Sequence, residues 1–439
     1  MTIWRNSVLA AAVALLAFSG PAAQAWPGKP RAPAVSPLGL PRATPESVGF
    51  SSERLAKLDA TLNGIVASGR MPGVLTLLAR HGKIIAVNAH GVKDVATGAP
   101  ITEDTIFRMY SQTKPVTGVA MMILYEEGRW RLDEPVTKYI PEFAGLKVFK
   151  GVEADGKPIL EPIARAATMR ELMTHTAGFA YGLVADNYVD KAYQESTLFR
   201  QPSLKEGMGI LTTLPLASQP GEQWKYSVAV DIQGYIVEKL SGQTLPDFMR
   251  SRIFAPLQMN DTDFWTPEAK RGRMASLYMF SPRERKIVPA EGFMVLPVDR
   301  LPEAANGGGG LVSTLRDYTR FAQMLLNGGE LDGVRILAPG TVKLMASNHL
   351  TDLQLAKAPL GDGVGFGLDV AVVMDPAKAG TLAGKGTYSW GGAAGTWFWI
   401  DPENDVIFLG MIQVLGGSAA RLDELSQALV YQALVDPSK

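Results

Sequence analysis

The tetrad Ser111-Gln112-Thr113-Lys114 is followed at once by Pro115 and then by apolar residues at helical spacing. Proline has no N–H group and its ring collides with the carbonyl four residues back, so it is tolerated only near a helix start. Pro115 therefore predicts a helix start, with Ser111 on or just before the first turn and Lys114 one turn along on the same face. This arrangement brings a hydroxyl, an amine and unpaired backbone N–H groups together.

These groups are the ones that a serine nucleophile requires. It needs a base nearby and N–H donors directed at its oxyanion, and a helix start can offer both. The tetrad alone is weak, because Ser-x-x-Lys is expected roughly once per few hundred residues by chance. The alternative is that Ser111 caps the helix and Lys114 is a solvated charge on its first turn.

The composition favours a folded protein that acts on a small molecule. The chain has 439 residues, 46% of them hydrophobic, which is enough for one large domain or two closely packed ones. Its 43 basic and 43 acidic residues give a formal net charge of zero. This balance gives no electrostatic case for nucleic acid or for an anionic membrane surface. We therefore expect a small-molecule substrate and no nucleic-acid partner.

The N-terminus has the pattern of an export signal. Arg5 precedes an unbroken apolar run over 8–18, and Ala23-Gln24-Ala25 is a small-x-small cleavage site. We predict a signal peptide over 1–25, cleaved after Ala25, so that no stable membrane insertion remains; an uncleaved anchor is the alternative. Residues 26–45 are a proline-rich leader, expected as an extended arm on the surface or disordered. The signal peptide predicts a secreted or periplasmic protein, and because the chain has no cysteine we expect no disulfides.

The distribution of periodic segments predicts an α/β protein with a helical insert. The first and last parts of the chain, 46–107 and 301–439, contain strand pairs joined by short turns, which argue for an antiparallel sheet. The middle, 108–300, contains short helical patterns, prolines and few strand signals. The predicted helices are 51–66, 115–127, 233–240, 314–327 and 421–434, and the predicted strands are 73–79, 83–89, 396–400 and 406–413.

Histidine does not supply an obvious base. The four histidines are His81, His90, His175 and His349, and none lies in a Ser-His-Asp setting; the chain also has no Gly-x-Ser-x-Gly elbow. We interpret His175 as structural. The base must then come from another side chain.

Several motifs occur in the order typical of one superfamily. The stretch 108–114 resembles the first motif of the serine β-lactamases and penicillin-binding proteins. It is most similar to the family VIII carboxylesterases, which resemble class C β-lactamases. Further landmarks follow over 128–136, 139–143, 172–178 and 309–314, and the likeness runs from about residue 45 to the C-terminus. The resemblance implies a β-lactamase/penicillin-binding-protein-like fold, with the active site between the α/β domain and the helical insert.

The second motif of the superfamily is Tyr-x-Asn, and the matching stretch here is Tyr226-Ser227-Val228. The resemblance implies that Tyr226 is the general base, or a proton relay with Lys114. A phenol of ordinary pKa near 10 becomes usable as a base when a nearby ammonium stabilises its phenolate. Val228 replaces the asparagine that binds the substrate amide in β-lactamases, which counts against a dedicated β-lactamase. A core tyrosine without catalytic role is the alternative for Tyr226.

The third motif, Lys-Thr-Gly in β-lactamases, is matched by Trp390-Gly391-Gly392, the form that resembles family VIII esterases. Trp390 removes the cation that would bind a β-lactam carboxylate. The two glycines let substrate approach the backbone closely, although a strand bulge would also explain them. By resemblance, the N–H groups of Ser111 and Ala393 form the oxyanion hole, and Trp390, Gly391, Gly392 and Val228 contact the substrate.

The resulting hypothesis is a serine carboxylesterase that cleaves short-chain esters through an acyl-enzyme on Ser111. The rival enzymes are a β-lactamase, a D-amino-acid peptidase or amide hydrolase, and an acyltransferase. A non-catalytic binding relative is the rival of another class. No spacing of histidine and acidic residues suggests a metal site, and we expect no cofactor. Gly307–Gly310 lacks the Gly-Lys-Ser/Thr of a phosphate loop and is interpreted as a tight turn before a helix.

Overall fold

The computed structural model describes residues 38–292, 294–416 and 421–439. The described residues belong to one compact unit. The predicted signal peptide, 1–25, and the leader up to residue 37 lie outside the described residues. Within the described part of the chain, no helix is long and apolar enough to cross a membrane.

Runs of helices and runs of strands follow one another along the chain. Several are capped by a side chain: Ser51 accepts a hydrogen bond from the N–H of Arg54 before the first helix, and Thr314 accepts one from Asp317. The α-helices are α1 Ser52–Ala67, α2 Lys114–Glu126, α3 Met169–Met173, α4 Tyr188–Glu195, α5 Leu204–Leu211, α6 Ala229–Ser241, α7 Leu245–Met249, α8 Glu268–Arg271, α9 Leu315–Leu326, α10 Pro339–Met345, α11 Asp352–Leu355, α12 Pro376–Ala379 and α13 Leu422–Tyr431.

The strands form one large sheet and several small ones. The strands are β1 Gly73–Arg80, β2 Lys83–Asp94, β3 Ala99–Pro100, β4 Ile106–Arg108, β5 Lys147–Val152, β6 Pro158–Pro162, β7 Tyr278–Ser281, β8 Lys286–Pro289, β9 Val312–Thr314, β10 Glu330–Leu331, β11 Val334–Arg335, β12 Val364–Phe366, β13 Ala371–Val373, β14 Tyr388–Gly391, β15 Thr396–Asp401, β16 Val406–Met411 and β17 Val414–Leu415.

The large sheet is antiparallel, with the described strands in the order β12-β13-β14-β15-β16-β1-β2-β3. Its centre is covered on both faces, which explains why β1 is buried along its whole length. Leu75 and Leu77 belong to the core that contains α2 and α9, whereas Val74 and Leu78 belong to the core beneath α1 and α13. The antiparallel sheet flanked by helices predicted from the sequence is confirmed.

One detail of the predicted organisation is wrong, and a second is incomplete. Leu38 and Leu40, in the leader, are buried in the core rather than on the surface. The segment 108–300, predicted as mostly helical, also contains the hairpins β5–β6 and β7–β8, which its apolar pattern does not indicate. Their side chains are mostly half-exposed or exposed, so they lack the apolar alternation by which a strand is recognised. The domain boundaries at 108 and 300 stay a prediction.

Candidate active site

The nucleophile candidate lies in a tight turn that leads into α2. Tyr110–Thr113 form a 3₁₀ turn, and Lys114 begins the α-helix with Pro115 in its first turn. Tyr110 has a φ of 46°, in the left-handed region that non-glycine residues rarely adopt. Its hydroxyl donates to the carbonyl of Met294 over 2.7 Å, which holds the strained turn. Ser111 is thereby presented to an open cavity.

Lys114 lies beneath Ser111 and is fully buried. Its Nζ donates to the carbonyl of Gly308 over 2.6 Å and lies 3.4 Å from Ser111 Oγ and 3.5 Å from Tyr181 Oη. The same amine lies 4.7 Å from the ring centroid of Tyr226. The structure therefore brings Lys114 within reach of the serine hydroxyl, as a proton acceptor in an acyl transfer must be.

Tyr226 packs among aromatic rings beside this amine. The ring centroids of His175, Tyr181 and Trp390 lie 4.9, 5.4 and 5.6 Å from that of Tyr226. Its hydroxyl is buried and has no hydrogen-bond partner among the described residues. The ring contacts thus fix the side chain, while the hydroxyl stays available for a reacting group at the cavity that Tyr226 lines.

The end of β14 is pressed against the turn that carries Ser111. A Cβ at Gly392 would lie 2.2 Å from the carbonyl oxygen of Met109, so only glycine permits this approach. The N–H of Gly392 donates to the carbonyl of Thr396 over 2.7 Å. Ala393 follows and lines the same cavity as Ser111, and its N–H donates to no residue in the described part of the chain. The oxyanion hole that the resemblance implies for the N–H groups of Ser111 and Ala393 stays a prediction.

The cavity in front of Ser111 has a volume of about 650 Å³ and mostly apolar walls. Trp390, Gly391 and Gly392 line it, as the sequence predicts for substrate-contacting residues. Among the described lining residues, Asp423 is the charged one, and no lysine, arginine or histidine lines the cavity. The remaining walls are formed by Leu183, Trp224, Pro359, Leu360, Val364, Ala371, Ser389, Gly395, Thr396, Trp397, Ile412 and Leu422.

Val228 and His175 lie away from this cavity. Val228 is fully buried at the start of α6, and its N–H donates to the carbonyl of Ala180, so the structure does not place it among the cavity-lining residues. His175 is buried with its Nδ1 3.0 Å from Ser227 Oγ. Burial, and then the charge of Lys114, hold the pKa of His175 well below its ordinary value. Its place behind Tyr226 fits the structural role that we expected.

Two further side chains near Lys114 were not found from the sequence. Tyr181 places its hydroxyl beside the amine, and burial, followed by the carboxylate of Asp231, raises the pKa of Tyr181 well above its ordinary value. The raised pKa makes the phenolate of Tyr181 harder to form, which counts against Tyr181 as the base. Burial also raises the pKa of Asp231 to about 6, against the attraction of the Lys114 ammonium. The landmark stretch Leu172–Gly178 precedes Tyr181 closely in the sequence, but no residue in it points to this tyrosine.

The chain is similar in sequence to a protein family and to several known proteins. The protein-family model described as Beta-lactamase matches residues 58–432. Protein Rv1367c of Mycobacterium tuberculosis (strain ATCC 25618 / H37Rv) is 38% identical over 361 residues, which are 81% of this chain and 88% of that protein. Esterase EstB of Burkholderia gladioli is 32% identical over 359 residues, covering 78% of this chain and 86% of that protein.

A solved structure shows the same fold. EstCE1, described as a hydrolase with promiscuous acyltransferase activity, superposes with a TM-score of 0.72 at 26% identity and covers 86% of this chain and 99% of its own. The predicted likeness to β-lactamases and to family VIII esterases, and the predicted fold, are confirmed. The chain belongs to the beta-lactamase family and is an enzyme of the serine-hydrolase kind.

Proposed function

We propose that the protein is a carboxylesterase that cleaves small, uncharged esters through an acyl-enzyme on Ser111. The observation that carries the proposal is the 3.4 Å approach of the buried Lys114 amine to the hydroxyl of Ser111, a residue that lines an open cavity. The name of EstB, an esterase of the same family, supports the choice of ester substrates.

The first half of the reaction forms the acyl-enzyme. The Tyr226–Lys114 pair takes the proton of Ser111 as its oxygen attacks the ester carbonyl. The N–H groups of Ser111 and Ala393 stabilise the oxyanion that develops. When the tetrahedral intermediate collapses, the carbon–oxygen bond to the alcohol breaks and the leaving alkoxide takes the same proton. The alcohol departs, and the acyl group stays on Ser111.

The second half releases the acid. A water molecule gives a proton to the Tyr226–Lys114 pair and attacks the acyl carbonyl, and a second tetrahedral intermediate forms in the same oxyanion hole. Its collapse breaks the bond to Ser111, which recovers its proton as the carboxylic acid leaves. An alcohol in place of water would make the same step an acyl transfer. The acyltransferase activity in the description of EstCE1 keeps this second function open for testing.

The lining of the cavity favours an ester over a β-lactam or a peptide C-terminus. Both of these carry a carboxylate, and the described lining residues offer it no cation, whereas Asp423 would repel it. Trp390 stands where β-lactamases have the lysine of their third motif, by the resemblance of this stretch. An uncharged ester is not repelled by Asp423 and does not require a cation in the cavity lining.

The place of action is part of the same proposal. The apolar run and the cleavage site at Ala25 support export to the periplasm or the medium. A fractionation of cells that express the full chain, followed by N-terminal sequencing of the exported form, tests it. An exported protein that begins at residue 26 supports the proposal, and an uncleaved cytoplasmic protein contradicts it.

The decisive experiment compares initial rates on p-nitrophenyl butyrate and on nitrocefin, a β-lactam with a carboxylate. We expect ester turnover with little nitrocefin turnover, and a loss of about 10³-fold or more in the Ser111→Ala variant. Ser68→Ala, at an exposed position that ends α1, is the matched control and should keep full activity.

The other outcomes separate the rival functions. Efficient nitrocefin turnover would make the protein a β-lactamase. Turnover of neither substrate, together with a failure of a fluorophosphonate probe to label Ser111, would identify a non-catalytic binding relative. Labelling of Ser111 without ester turnover would favour an amide hydrolase or a transferase.

A further inference from the structure

The segment Gly307–Gly310 lies against the first two turns of α2. The hydroxyl of Thr117 donates to the carbonyl of Gly307 over 2.7 Å, and the amine of Lys114 donates to the carbonyl of Gly308 over 2.6 Å. From its sequence we interpret this segment only as a tight turn before a helix. In the structure it provides the shortest hydrogen bond that the Lys114 amine makes.

Gly308 is held on its other side by Asp231, in the first turn of α6. Its N–H donates to Asp231 Oδ1 over 3.0 Å. Asp231 is buried, with 4% of its surface exposed, and its Oδ2 has no hydrogen-bond partner among the described residues. The same glycine is therefore bound through its N–H by a carboxylate and through its carbonyl by Lys114.

The side chains around Gly308 leave no room for a Cβ atom. Such an atom would lie 2.8 Å from Asp231 Oδ2 and 3.2 Å from Tyr181 Oη. The φ of Gly308 is not in the left-handed region, so the need for glycine is steric. The Asp231 carboxylate can thus approach the backbone this closely because residue 308 is a glycine.

We propose that Asp231 is a positioning residue: by accepting the Gly308 N–H, it fixes the carbonyl that holds the Lys114 amine beside Ser111. The inference rests on the proposed role of Ser111 and Lys114. A long, flexible lysine side chain has several rotamers, and a proton acceptor displaced by about 1 Å can cost as much as 100-fold in rate. The chain of contacts from Asp231 through Gly308 removes that freedom.

The alternative is that Asp231 acts only through its negative charge near Lys114. The two explanations differ in what they require from the side chain. Asparagine keeps an oxygen that accepts the Gly308 N–H but carries no charge, whereas alanine removes both. A second buried carboxyl, Asp369, also lies close enough to interact with the Lys114 charge, but it binds Gln233 and not the glycine segment. Asp369→Asn is therefore the matched control.

The test measures the rate constant for labelling of Ser111 by a fluorophosphonate and kcat and KM for p-nitrophenyl butyrate. We expect Asp231→Ala to lower the labelling rate and kcat by about tenfold or more, with KM nearly unchanged. Asp231→Asn should stay within about threefold of the wild type, because its hydrogen bond is kept. Asp369→Asn should also stay within about threefold.

Equal losses in Asp231→Asn and Asp231→Ala would overturn the inference in favour of the charge, and so would wild-type labelling by Asp231→Ala. If Asp231→Ala does not fold, Gly308→Ala provides the second variant, since its methyl group would lie 2.8 Å from Asp231 Oδ2 and must separate the carboxylate from the Gly308 backbone. Slowed labelling in folded Gly308→Ala supports the inference, and wild-type labelling contradicts it. A failure of the wild type itself to react at Ser111 would instead refute the proposed function.

Discussion

Tyr226 has a buried hydroxyl that no described residue satisfies. Such a group costs free energy in the folded state, since it gave up its hydrogen bonds to water. The rings of His175, Tyr181, Trp224 and Trp390 surround the phenol and hold it in place. Packing of the ring does not require the hydroxyl group. Its position beside the Lys114 amine and the cavity gives the hydroxyl a use in proton transfer.

The phenylalanine variant separates these two roles of Tyr226. We expect Tyr226→Phe to lower kcat on p-nitrophenyl butyrate by about 10²–10⁴-fold, the usual contribution of a general base. Its melting temperature should equal or exceed that of the wild type, because the variant removes an unpaired buried hydroxyl. Tyr235→Phe, on α6 and partly buried, is the control for loss of a phenol. Unchanged kcat in Tyr226→Phe would exclude the tyrosine as the base.

At the scale of secondary-structure elements, strong periodicity and local turn chemistry determined what the sequence could predict. Helices α1, α2 and α9 and the strand pairs β1–β2 and β15–β16 lie where apolar spacing places them. The hairpin β5–β6 is mostly exposed and left no such pattern. In the site, too, spacing alone could predict only local features. Ser111 and Lys114 are neighbours in one turn, whereas Asp231 and Gly308 are 77 positions apart in the sequence. No single-sequence pattern reports a contact of that range.

The contact between the end of β14 and the turn that carries Ser111 positions these two elements of the site, and a substitution at Gly392 can test it. A methyl group at Gly392 would meet the Met109 carbonyl at 2.2 Å, so the strand end must move away from Ser111. We expect Gly392→Ala to lower the free energy of unfolding by about 1–3 kcal/mol and to lose esterase activity. Gly340→Ala, in α10 with open space around its Cβ, should be neutral or slightly stabilising. Denaturant melts and ester kinetics on both variants check this, and a fully active Gly392→Ala would contradict the close packing.

At the scale of the whole molecule, the buried centre contains the Lys114 amine with the carboxyls of Asp231 and Asp369 near it. Burial disfavours the charged form of each carboxyl. It raises the pKa of Asp231 to about 6 and that of Asp369 to about 8, although the Lys114 charge opposes both shifts. Although the chain has a formal net charge of zero, the ionisation of these two buried carboxyls is coupled to folding.

The sign of that coupling follows from the proton of Asp369. The folded protein binds it with a pKa of about 8, whereas the unfolded chain has the ordinary value of about 3.9. Between these values unfolding releases the proton, so a rise in pH favours unfolding. The stability that the neutral carboxyl contributes is fully present below about pH 4 and is lost as the pH rises through about 8. Asp231 acts in the same direction but only up to about pH 6.

In the wild type, the free energy of unfolding should therefore fall by a few kcal/mol between about pH 6 and pH 8. Asp369→Asn should lose most of this fall. The fall between pH 4 and pH 6 should persist in part, because Asp231 still titrates there. Urea unfolding at pH 5, 6.5 and 8 measures the effect, and the comparison with wild type cancels the contribution of the histidines. Asp362→Asn, at an exposed position, should leave the profile unchanged. Parallel profiles for Asp369→Asn and wild type would mean that Asp369 is ionised in the folded protein at neutral pH.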